Sequence, residues 1–455
     1  MSTRDQAIRS AQALVDDGRF VSDLAELVAR PTESQDPARA NEMQRYLSDL
    51  LMPRLVAAGF DSKIHPNRYG SPFLVARRIE DPHLPTILGY GHGDVTRGQE
   101  GAWHADGAPF VLRQDQDRLY GRGTADNKSQ HLINIQAQEC VIATRGKLGF
   151  NAAWLIEMGE ETGSPGLEAF CQENQDLLGA QVLIASDGPR LSPDVPLVFL
   201  GARGAINFTL SVELRKGAHH SGNWGGLLTD PSVILAHALS TITNARGQIQ
   251  VPEWHPTSLT PDIRALIAKL PLPVGPAIDR DWGDAALTPQ ERVYGWNAFA
   301  VLAMESGVPA APVNAISGHA KATCQLRFVT GTDVDDILPA LRRHLVRAGF
   351  PQVRIDRSDN GFFPATRSDP DNPWVARVIT SLRETLGSDP HIAPNLGGSL
   401  PNHVFIDTLG LPTVWVPHSY SGCNQHAPDE HMLLSVARQA LGLMAGIYWD
   451  LGAEA

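Results

Sequence analysis

Short apolar runs along the first 200 residues are each followed at once by polar or acidic side chains. Such runs cover 85–91, 152–157 and 182–186, and a stretch with helical spacing at 127–142 separates the first two. Strands that alternate with helices in this way predict an α/β sheet with mostly parallel strands. In such sheets ligands bind beyond the carboxyl ends of the strands, so the polar residues after each run are the first candidates for a functional site.

A helix is predicted over 37–58, where apolar positions recur with helical spacing. Asp36 is placed to cap its first turn, Pro37 suits the first helical position, and Gly59 stands just past its end. Pro53 lies inside the pattern and cannot donate a backbone hydrogen bond, so we expect a kink there.

The pattern changes near residue 200, which indicates a second structural unit. It predicts half-exposed strands at 208–214, 319–329 and 353–355 and helices at 231–242 and 334–348. The simplest assembly of these elements is two helices on one face of a small antiparallel sheet, an α+β two-layer sandwich. The first pattern resumes at about residue 362. We therefore predict two domains, which comprise residues 1–199 with 362–455 and an inserted segment, 200–361.

The composition describes an ordinary globular protein with room for two domains. Of 455 residues, 42% are hydrophobic and 19% are charged, and a single core rarely grows past ~250–300 residues. The 50 acids outnumber the 38 bases, which gives a net charge of −12. The sequence contains no long run of lysine and arginine, so nucleic acid and anionic membranes are not expected as partners.

The cysteines and the amino terminus indicate a cytoplasmic protein. Cys140, Cys171, Cys324 and Cys423 are scattered without CxxC spacing and are interpreted as reduced structural residues. The amino terminus lacks the basic, apolar and small-residue order of a signal peptide, and no apolar run approaches the ~20 residues that span a bilayer. A cytoplasmic location without a membrane partner is therefore expected.

A set of acids and histidines follows the apolar runs or lies in loops rich in glycine and proline: His92, Asp94, Asp126, Glu160, Glu161, Asp187 and His426. Singly, each has an ordinary interpretation as a loop histidine, a helix N-cap, an acidic first helical turn or a turn residue. Imidazoles and carboxylates are also the ligands of borderline divalent metals, and there are enough here for two ions. A glutamate that is not a ligand could move protons in a hydrolysis. Together these residues favour a metal-dependent hydrolase.

The segments around these residues resemble a known family. They are GHGDV, GRGTADNKS, EMGEETGS, LIASDGP and NQHAPDEH, and the resemblance extends over roughly residues 20–450. In combination they are similar to the dinuclear, co-catalytic zinc metallopeptidases and deacylases that include carnosinase-type dipeptidases, glutamate carboxypeptidase, acetylornithine deacetylase and succinyl-diaminopimelate desuccinylase. The resemblance implies a zinc-peptidase-type catalytic fold for the first domain and a lid and dimerisation role for the inserted one.

The resemblance also implies a role for each candidate residue. Five side chains would hold two divalent ions, which would be zinc or else manganese or cobalt. His92 and Asp187 would bind one ion, Glu161 and His426 would bind the other, and Asp126 would bridge the two. Asp94 would orient His92. Glu160 would be the general base that takes a proton from a water between the ions and delivers it to the leaving nitrogen. The peptide bond from Asp126 to Asn127 would be cis.

The inserted segment carries further matches that imply contacts with the substrate. KGAHHSGNWGG places His220, rather than His219, where a histidine reaches the active site of the partner subunit in a homodimer and stabilises a tetrahedral oxyanion. Without the resemblance, His220 is interpreted as a histidine at a strand end. Asn314 in VNAIS falls at a position that assists the same oxyanion, although Ser317 stands where proline is usual.

Two more matches imply recognition of a substrate carboxylate. Arg327 in CQLRFV would bind that group, since a guanidinium donates two parallel hydrogen bonds to a carboxylate. Gly398 and Ser399 in NLGGSLP resemble a loop that lies against the same carboxylate. The alternatives are an exposed strand arginine and a plain turn. The GARG segment at 201–204 also matches the family and receives no chemical role.

These expectations describe a homodimeric enzyme that hydrolyses an amide or peptide bond in a small substrate with a free carboxylate. Dipeptidase or carboxypeptidase activity comes first, and deacylation of N-acyl amino acids is an alternative that the metal ligands cannot separate from it. A more remote alternative is a non-catalytic binding protein on the same fold, although Glu160 and all five ligands are present. The sequence contains neither a GxSxG elbow nor HExxH, which argues against a serine hydrolase and a thermolysin-like protease.

Overall fold

The computed structural model describes residues 3–104, 107–272, 278–358 and 362–453. Within these ranges the helices are α1 (Arg4–Asp16), α2 (Arg19–Val28), α3 (Ala40–Arg45), α4 (Met52–Ala57), α5 (Lys128–Arg145), α6 (Leu167–Glu173), α7 (Gln175–Leu178), α8 (Ser221–Trp224), α9 (Pro231–Ile242), α10 (Pro261–Ile267), α11 (Pro289–Tyr294), α12 (Ile337–Arg347), α13 (Pro373–Leu386) and α14 (Leu434–Leu451). The predicted domain boundary at residue 361 lies outside the described residues.

The strands of the described ranges form one large sheet, one four-stranded sheet and several small ones. They are β1 (Asp61–His65), β2 (Phe73–Arg78), β3 (Thr86–His92), β4 (Arg113–Asp115), β5 (Arg118–Tyr120), β6 (Asn151–Glu157), β7 (Val182–Ala185), β8 (Pro189–Arg190), β9 (Leu197–Phe199), β10 (Gly201–Ala202), β11 (Gly204–Glu213), β12 (His219–His220), β13 (Ala298–Ser306), β14 (Ala315–Ile316), β15 (His319–Phe328), β16 (Arg354–Arg357), β17 (Thr366–Arg367), β18 (His391–Ala393), β19 (Thr413–Trp415), β20 (Ser419–Tyr420) and β21 (His431–Leu433).

The large sheet has eight strands in the order β1-β2-β6-β3-β7-β19-β9-β18. The strands at its centre, β6, β3, β7 and β19, pair in parallel, and β9 pairs in parallel with β18. Antiparallel pairs join β1 to β2, β2 to β6, and β19 to β9. The prediction of an α/β fold with a mostly parallel central sheet is confirmed.

Helices cover both faces of this sheet, because alternate side chains of a strand point to opposite faces. Ala152, Trp154 and Ile156 of β6 pack in one core with residues of α1, α5 and α14. Ala153 and Leu155 of the same strand pack in a second core with residues of α6. Burial on both faces explains why the sequence shows this strand as a continuous apolar run.

The four-stranded sheet is antiparallel, in the order β13-β15-β11-β16. β11 and β15 pair over ten positions, from Gly204 opposite Phe328 to Glu213 opposite His319. α9 and α12 cover one face and share a core with both strands. α9 has the bounds that the sequence predicts, and the Asp230 carboxylate caps it by accepting the backbone N–H of Ser232 at 2.8 Å. Two helices on one face of a small antiparallel sheet are therefore confirmed.

The chain enters and leaves the second unit along adjacent paths. β10 pairs antiparallel with β17, and Ala205 forms a bridge with Phe363. However, apolar residues of the inserted segment belong to the same core as Phe199 and Trp415 of the large sheet, namely Ile263, Ile267, Leu270 and Tyr294. The segment that holds α10 and α11 thus packs on the first unit, and the division into 1–199 with 362–455 and 200–361 stays a prediction.

The helix predicted over 37–58 is continuous but not uniform. The Asp36 carboxylate accepts the N–H of Ala38 at 3.0 Å, as expected of an N-cap. A wider π-helical turn over Tyr46–Leu51 lies just before α4, which contains Pro53. Because proline lacks an N–H, one backbone hydrogen bond of the preceding turn is lost. We expected a kink at this point, and a wider turn accommodates the loss.

No helix in the described part of the chain is both long and apolar enough to cross a bilayer.

Candidate metal centre

Three neighbouring parallel strands deliver most of the predicted site residues to one edge of the large sheet. His92 is the last residue of β3, Glu160 and Glu161 lie in a short turn after β6, and Asp187 follows β7. Asp126 directly precedes Asn127, the N-cap of α5, and His426 lies in the loop between β20 and β21. Side chains far apart in the sequence therefore converge on one site.

Five of these side chains form two groups with metal-ligand spacing. His92, Asp126 and Asp187 form the first, and Asp126, Glu161 and His426 form the second; in each group the ligand atoms all lie within 4.8 Å of one another. Asp126 Oδ1 lies 3.0 Å from His92 Nε2, and Asp126 Oδ2 lies 3.1 Å from His426 Nε2. The two oxygens of one carboxylate thus face the two groups, as a bridging ligand requires.

The site contains an unpartnered polar atom that a cation would satisfy. Asp187 Oδ2 is buried, and no described residue donates a hydrogen bond to it. A buried acceptor without a donor is costly, so it calls for a further partner. This oxygen lies 3.7 Å from His92 Nε2, at the centre of the first group. Imidazole and carboxylate ligands suit zinc, manganese or cobalt, so the residues present fit a divalent metal.

Both candidate histidine ligands face acceptors that raise the pKa of their imidazoles. His92 Nδ1 faces the carbonyl oxygen of Asp94 at 3.0 Å and its Nε2 faces Asp126, so both ring nitrogens meet acceptors. Burial opposes the charge on His92, but the hydrogen bonds to Asp126 and Asp94 raise its pKa well above the usual value. Hydrogen bonds to Asp126 and Glu161 raise the pKa of His426 to about 11. Protons therefore compete with a metal ion for both imidazoles.

Burial also favours protons on the carboxyl groups of the site. It raises the pKa of Glu161 to about 7 and the pKa of Asp187 to about 6, and the charge of Asp126 acts in the same direction on both. Asp126 is the exception, because the hydrogen bonds from His426 and His92 outweigh burial and lower its pKa. The carboxyl group that belongs to both groups is therefore the one whose pKa is lowered rather than raised.

Glu160 lies beside both groups and belongs to neither. No described residue donates a hydrogen bond to its carboxylate, which leaves it free to exchange a proton. Burial raises the pKa of Glu160 well above the usual value, and the charges of Asp187 and Glu161 add to the shift. A carboxyl group whose proton affinity is raised next to a metal site is suited to proton transfer.

Asp94 connects the segment that carries His92 to the turn that carries Glu160 and Glu161. Its carboxylate oxygens accept the backbone N–H groups of Glu160 and Glu161, both at 3.1 Å. His92 Nδ1 lies 3.4 Å from Asp94 Oδ1 and closer, at 3.0 Å, to the carbonyl oxygen of the same residue. Asp94 thus contacts His92 as expected, and it also holds the turn that carries both glutamates.

Glu430 was not identified from the sequence. Its carboxylate accepts the N–H groups of Gly123 at 3.1 Å, Ala125 at 2.9 Å and Asp126 at 3.1 Å, and a further hydrogen bond from Arg122 at 2.7 Å. In the sequence, only its position four residues after His426 indicated a link between Glu430 and the site. Glu430 ties the segment that carries His426 to the loop that carries Asp126.

A second network lies behind the site, and polar residues within a helix were its only indication in the sequence. The peptide bond from Asp126 to Asn127 is cis, as the resemblance implies. Asn127 donates to the carbonyl oxygen of Ser186 at 2.8 Å and accepts from His131 Nδ1 at 3.1 Å. Burial lowers the pKa of His131 to about 3, so its ring is neutral and its Nε2 accepts from the Tyr46 hydroxyl at 2.8 Å. The network joins the residues next to Asp126 and Asp187.

The predicted carboxylate-binding residues are brought together. Arg327 Nη1 donates to Ser399 Oγ at 2.7 Å, and Ser399 Oγ donates to the carbonyl oxygen of Arg203 at 2.7 Å. The N–H of Arg203 donates to the carbonyl oxygen of Gly398 at 3.1 Å. Burial and the charge of Arg327 lower the pKa of Arg203 to about 10. Neither guanidinium has a carboxylate partner among the residues described, so the pair offers a place for an anionic group.

His220 and Asn314 lie together but apart from the metal cluster. β12 and β14 pair so that His220 stands opposite Ala315, and the N–H of Ser221 donates to the carbonyl oxygen of Asn314 at 2.9 Å. Both side chains are exposed. Within a single chain, the described structure brings neither of them to the five candidate ligands.

Comparison with known proteins gives one family and relatives of similar fold. Residues 88–449 match the family described as Peptidase family M20/M25/M40. The chain is 35% identical to the Beta-Ala-His dipeptidase of Rattus norvegicus over 184 residues, 40% of this chain and 37% of that protein. It is 24% identical to the Cysteinylglycine-S-conjugate dipeptidase of Corynebacterium striatum over 398 residues, 84% of each chain. The crystal structure of human carnosine dipeptidase 1 has a TM-score of 0.77 at 22% identity and covers 99% of this chain and 98% of that one.

The matched parts of three mammalian Beta-Ala-His dipeptidases span 36% to 50% of their length. The structural likeness extends over nearly the whole chain and shows the fold.

Metal binding should release protons and should tighten as the pH rises from about 6 to 8. The reason is that His92, His426 and Glu161 must release protons when they bind metal, and this exchange becomes more favourable as the proton concentration falls. Isothermal titration of metal-free protein with zinc, in two buffers of different ionisation enthalpy, measures both quantities. An affinity independent of pH, with equal heats in the two buffers, would contradict this account of the site.

Glu430→Gln should weaken metal binding by about 10–100-fold, the usual effect of removing a partner that supports a ligand. The amide keeps the size of the side chain but replaces one of the oxygens that accept Arg122 and the loop N–H groups. Competition with a chromophoric chelator measures the affinity. Glu384→Gln, on the exposed side of α13, is the matched control and should bind metal like the wild type. Equal affinities in the two variants would rule out the role of Glu430.

Proposed function

The chain belongs to peptidase family M20/M25/M40, and from this premise we propose that it is a metal-dependent dipeptidase for small peptides with a free carboxylate. The observation that carries the proposal is the placement of Asp126, whose two oxygens face two groups of metal-binding side chains beside the unbound Glu160. Relatives named Beta-Ala-His dipeptidase and Cysteinylglycine-S-conjugate dipeptidase support this substrate class.

Five residues would hold the metal, with His92 and Asp187 on one ion, Glu161 and His426 on the other, and Asp126 on both. We propose zinc, with manganese or cobalt as alternatives that the same ligands accept. Bound metal would supply Lewis acidity, which polarises a carbonyl group and lowers the pKa of a water. The clustered carboxylates suit this task because two divalent cations neutralise them.

Glu160 is proposed as the proton carrier. It would accept a proton from the attacking water as the new C–O bond forms, and it would donate that proton to the nitrogen as the C–N bond breaks. Its raised pKa and the lack of a hydrogen-bond donor to its carboxylate among the described residues support this role. Asp94 would keep Glu160 in place, because it accepts the backbone N–H of that residue.

Arg327, with Gly398 and Ser399, is proposed to bind the substrate carboxylate. The hydrogen bond from Arg327 to Ser399 and the absence of a carboxylate partner within the described ranges support this role. Arg203 would add a second positive charge beside it.

The proposal includes a homodimer formed through the inserted domain. β13 is an edge strand of the four-stranded sheet, and its residues Val301, Leu302 and Met304 are exposed. Proteins usually cover an exposed apolar edge strand. A second copy at this edge would supply His220 and Asn314 to the site across the interface. We also propose a cytoplasmic location, because the four cysteines are buried and unpaired.

The reconstituted protein should hydrolyse members of a dipeptide panel and lose this activity on chelation. Glu160→Ala should lower kcat by about 10²–10⁴-fold, the contribution of a general acid–base group, and should keep the full metal content. Steady-state kinetics with metal analysis measures both effects. Asp126→Ala is the contrasting variant and should lose metal and activity together. Near-normal turnover in Glu160→Ala would defeat the assignment, and a preference for N-acyl amino acids over dipeptides would favour the deacylase alternative.

Arg327→Gln should raise the KM of dipeptides with a free carboxylate by about tenfold or more, because a charge-assisted hydrogen-bond pair is lost. The same dipeptides with an amidated carboxyl terminus should be poor substrates for the wild type and should lose little more in the variant. The control is Arg367→Gln, which changes a partly buried arginine in the segment where the chain returns to the first structural unit. Equal losses on free and amidated substrates would count against carboxylate binding by Arg327.

Mixing two inactive variants should restore activity if His220 acts across a dimer. His220→Ala and Glu160→Ala each disable every site of a homodimer, whereas a mixed dimer keeps one intact site. Statistical exchange of subunits should recover about a quarter of the wild-type rate. Kinetics after subunit exchange measures the recovery, and light scattering measures the dimer. A monomeric protein, or a mixture without recovered activity, would exclude the shared site.

A further inference from the structure

A basic cavity adjoins the segment that carries His426. It has a volume of about 360 Å³ and is lined by the β4–β5 hairpin and by residues of segment 422–431, with His104 at one side. The hairpin contributes Arg113, Arg118 and Tyr120. None of the five candidate metal ligands is among its lining residues, so it is separate from the site described above.

Two arginines in this cavity have no carboxylate partner among the described residues. Arg113 stands opposite Tyr120 in the hairpin and lies over its ring, with the guanidinium carbon 4.4 Å from the ring centre. Its Nε is buried and meets no acceptor. Arg118 lies against the hydroxyl groups of Tyr120 and Tyr420, which raise its pKa. Aromatic rings contact both guanidiniums, and neither guanidinium forms an ion pair with a carboxylate in the described part of the chain. The charge of Arg113 nevertheless helps to lower the pKa of Asp429, and Asp115 stands opposite Arg118 in the hairpin.

The one acidic residue that lines the cavity is already occupied. Asp429 forms an ion pair with His104 and accepts the backbone N–H of the same residue at 2.9 Å. Arg113 and Arg118 bring two positive charges to a cavity that is lined by one acidic side chain. The arrangement therefore favours an anion that comes from outside the chain.

His431 contributes hydrogen bonds to this cavity rather than charge. Its Nδ1 lies 2.9 Å from the carbonyl oxygen of Asp429 and so carries the proton, while its Nε2 accepts from the Tyr420 hydroxyl at 2.7 Å. Burial lowers its pKa, which keeps the ring neutral. Recognition of an anion would therefore depend on Arg113 and Arg118, with His431 fixing the position of Tyr420.

The segment between the cavity and the metal centre links the two. Asp429 and His431 line the cavity, whereas the carboxylate of Glu430 between them accepts the N–H of Asp126 at 3.1 Å. Within this segment Asn424, His426 and Asp429 have positive φ angles of 57°, 61° and 60°, a conformation that costs free energy for residues other than glycine. Contacts in the cavity therefore bear on a strained segment that carries a candidate metal ligand.

We propose that this cavity binds a small multivalent oxyanion, a phosphate or a polycarboxylate, and that bound anion restricts the motion of segment 422–431 and slows loss of metal from the His426 side. Two guanidinium forks are the usual protein partners of such anions. The volume leaves room for an organic anion larger than inorganic phosphate. Binding can be measured without turnover, so the proposal stands or falls independently of the dipeptidase activity.

Inorganic sulfate is the first probe, because it is a tetrahedral dianion and a weak zinc ligand. Titration calorimetry on the metal-loaded protein, against chloride at equal ionic strength, should detect one sulfate site. The double variant Arg113→Gln/Arg118→Gln should weaken sulfate binding by about tenfold or more. Arg9→Gln/Arg354→Gln makes the same change in net charge with exposed arginines of α1 and β16, and it should leave the affinity within about twofold.

Equal affinities in the two double variants would overturn the proposal, since sulfate would then bind at the metals or by diffuse charge alone. The absence of measurable sulfate binding to the wild type would overturn it too. If the first double variant does not fold, Arg118→Gln alone replaces it, because Arg118 is exposed and its loss leaves no cavity in a core. Titration with glycerol 2-phosphate and with citrate then distinguishes a phosphate ligand from a polycarboxylate.

The effect on the metal centre has its own readout. Release of zinc from the His426 side requires movement of segment 422–431, so an anion that restricts this segment should slow the release of zinc to a chelator. We expect saturating sulfate to slow release at least about threefold in the wild type and to have no effect in Arg113→Gln/Arg118→Gln. Equal release rates with and without sulfate in the wild type would refute the link to His426.

Discussion

Four carboxyl groups are gathered in one buried site, and the surrounding segments must hold them there against their mutual repulsion. Asp126, Glu161, Asp187 and Glu160 lie close enough that burial and mutual repulsion raise the pKa of the last three. The imidazoles of His92 and His426 face one oxygen each of the Asp126 carboxylate. A divalent cation would balance the charge of carboxylates that lie this close together, which couples metal binding to the loss of protons from the site.

Like charges repel, so the ligands stay together only because the backbone holds them. Asp94 and Glu430 perform this function with carboxylates that accept N–H groups of the main chain, and Asn127 performs it with its amide. Each of the three anchors a different segment: the turn after β6, the loop before α5, and the residues after β7. Main-chain partners allow less movement than long side chains would, which is what ligand geometry within a few tenths of an ångström requires.

The part of the site that follows from sheet geometry could be predicted from the sequence, and the rest could not. His92, Glu161 and Asp187 follow runs that become neighbouring parallel strands, so their convergence is a consequence of the α/β pattern. Asp126 and His426 lie in loops, and only the family resemblance indicated their roles. Glu430 contacts residues more than 300 positions away, and no local pattern reports such a contact. The packing of α10 and α11 on the larger core is a long-range effect of the same kind.

The two halves of the site differ in exposure, and the difference suits a hydrolase. His92 has 1% of its side-chain surface exposed and ends a central strand, whereas His426 has 55% exposed and lies in a loop with left-handed residues. A ligand on a buried strand is fixed precisely, but a substrate cannot reach the metal position from that side. A ligand on an exposed loop leaves room for a substrate, but it needs support from outside the sheet. Asp126 faces both halves, so its carboxylate links the position of the buried ligand to the position of the exposed one. Glu430 holds the loop that carries Asp126.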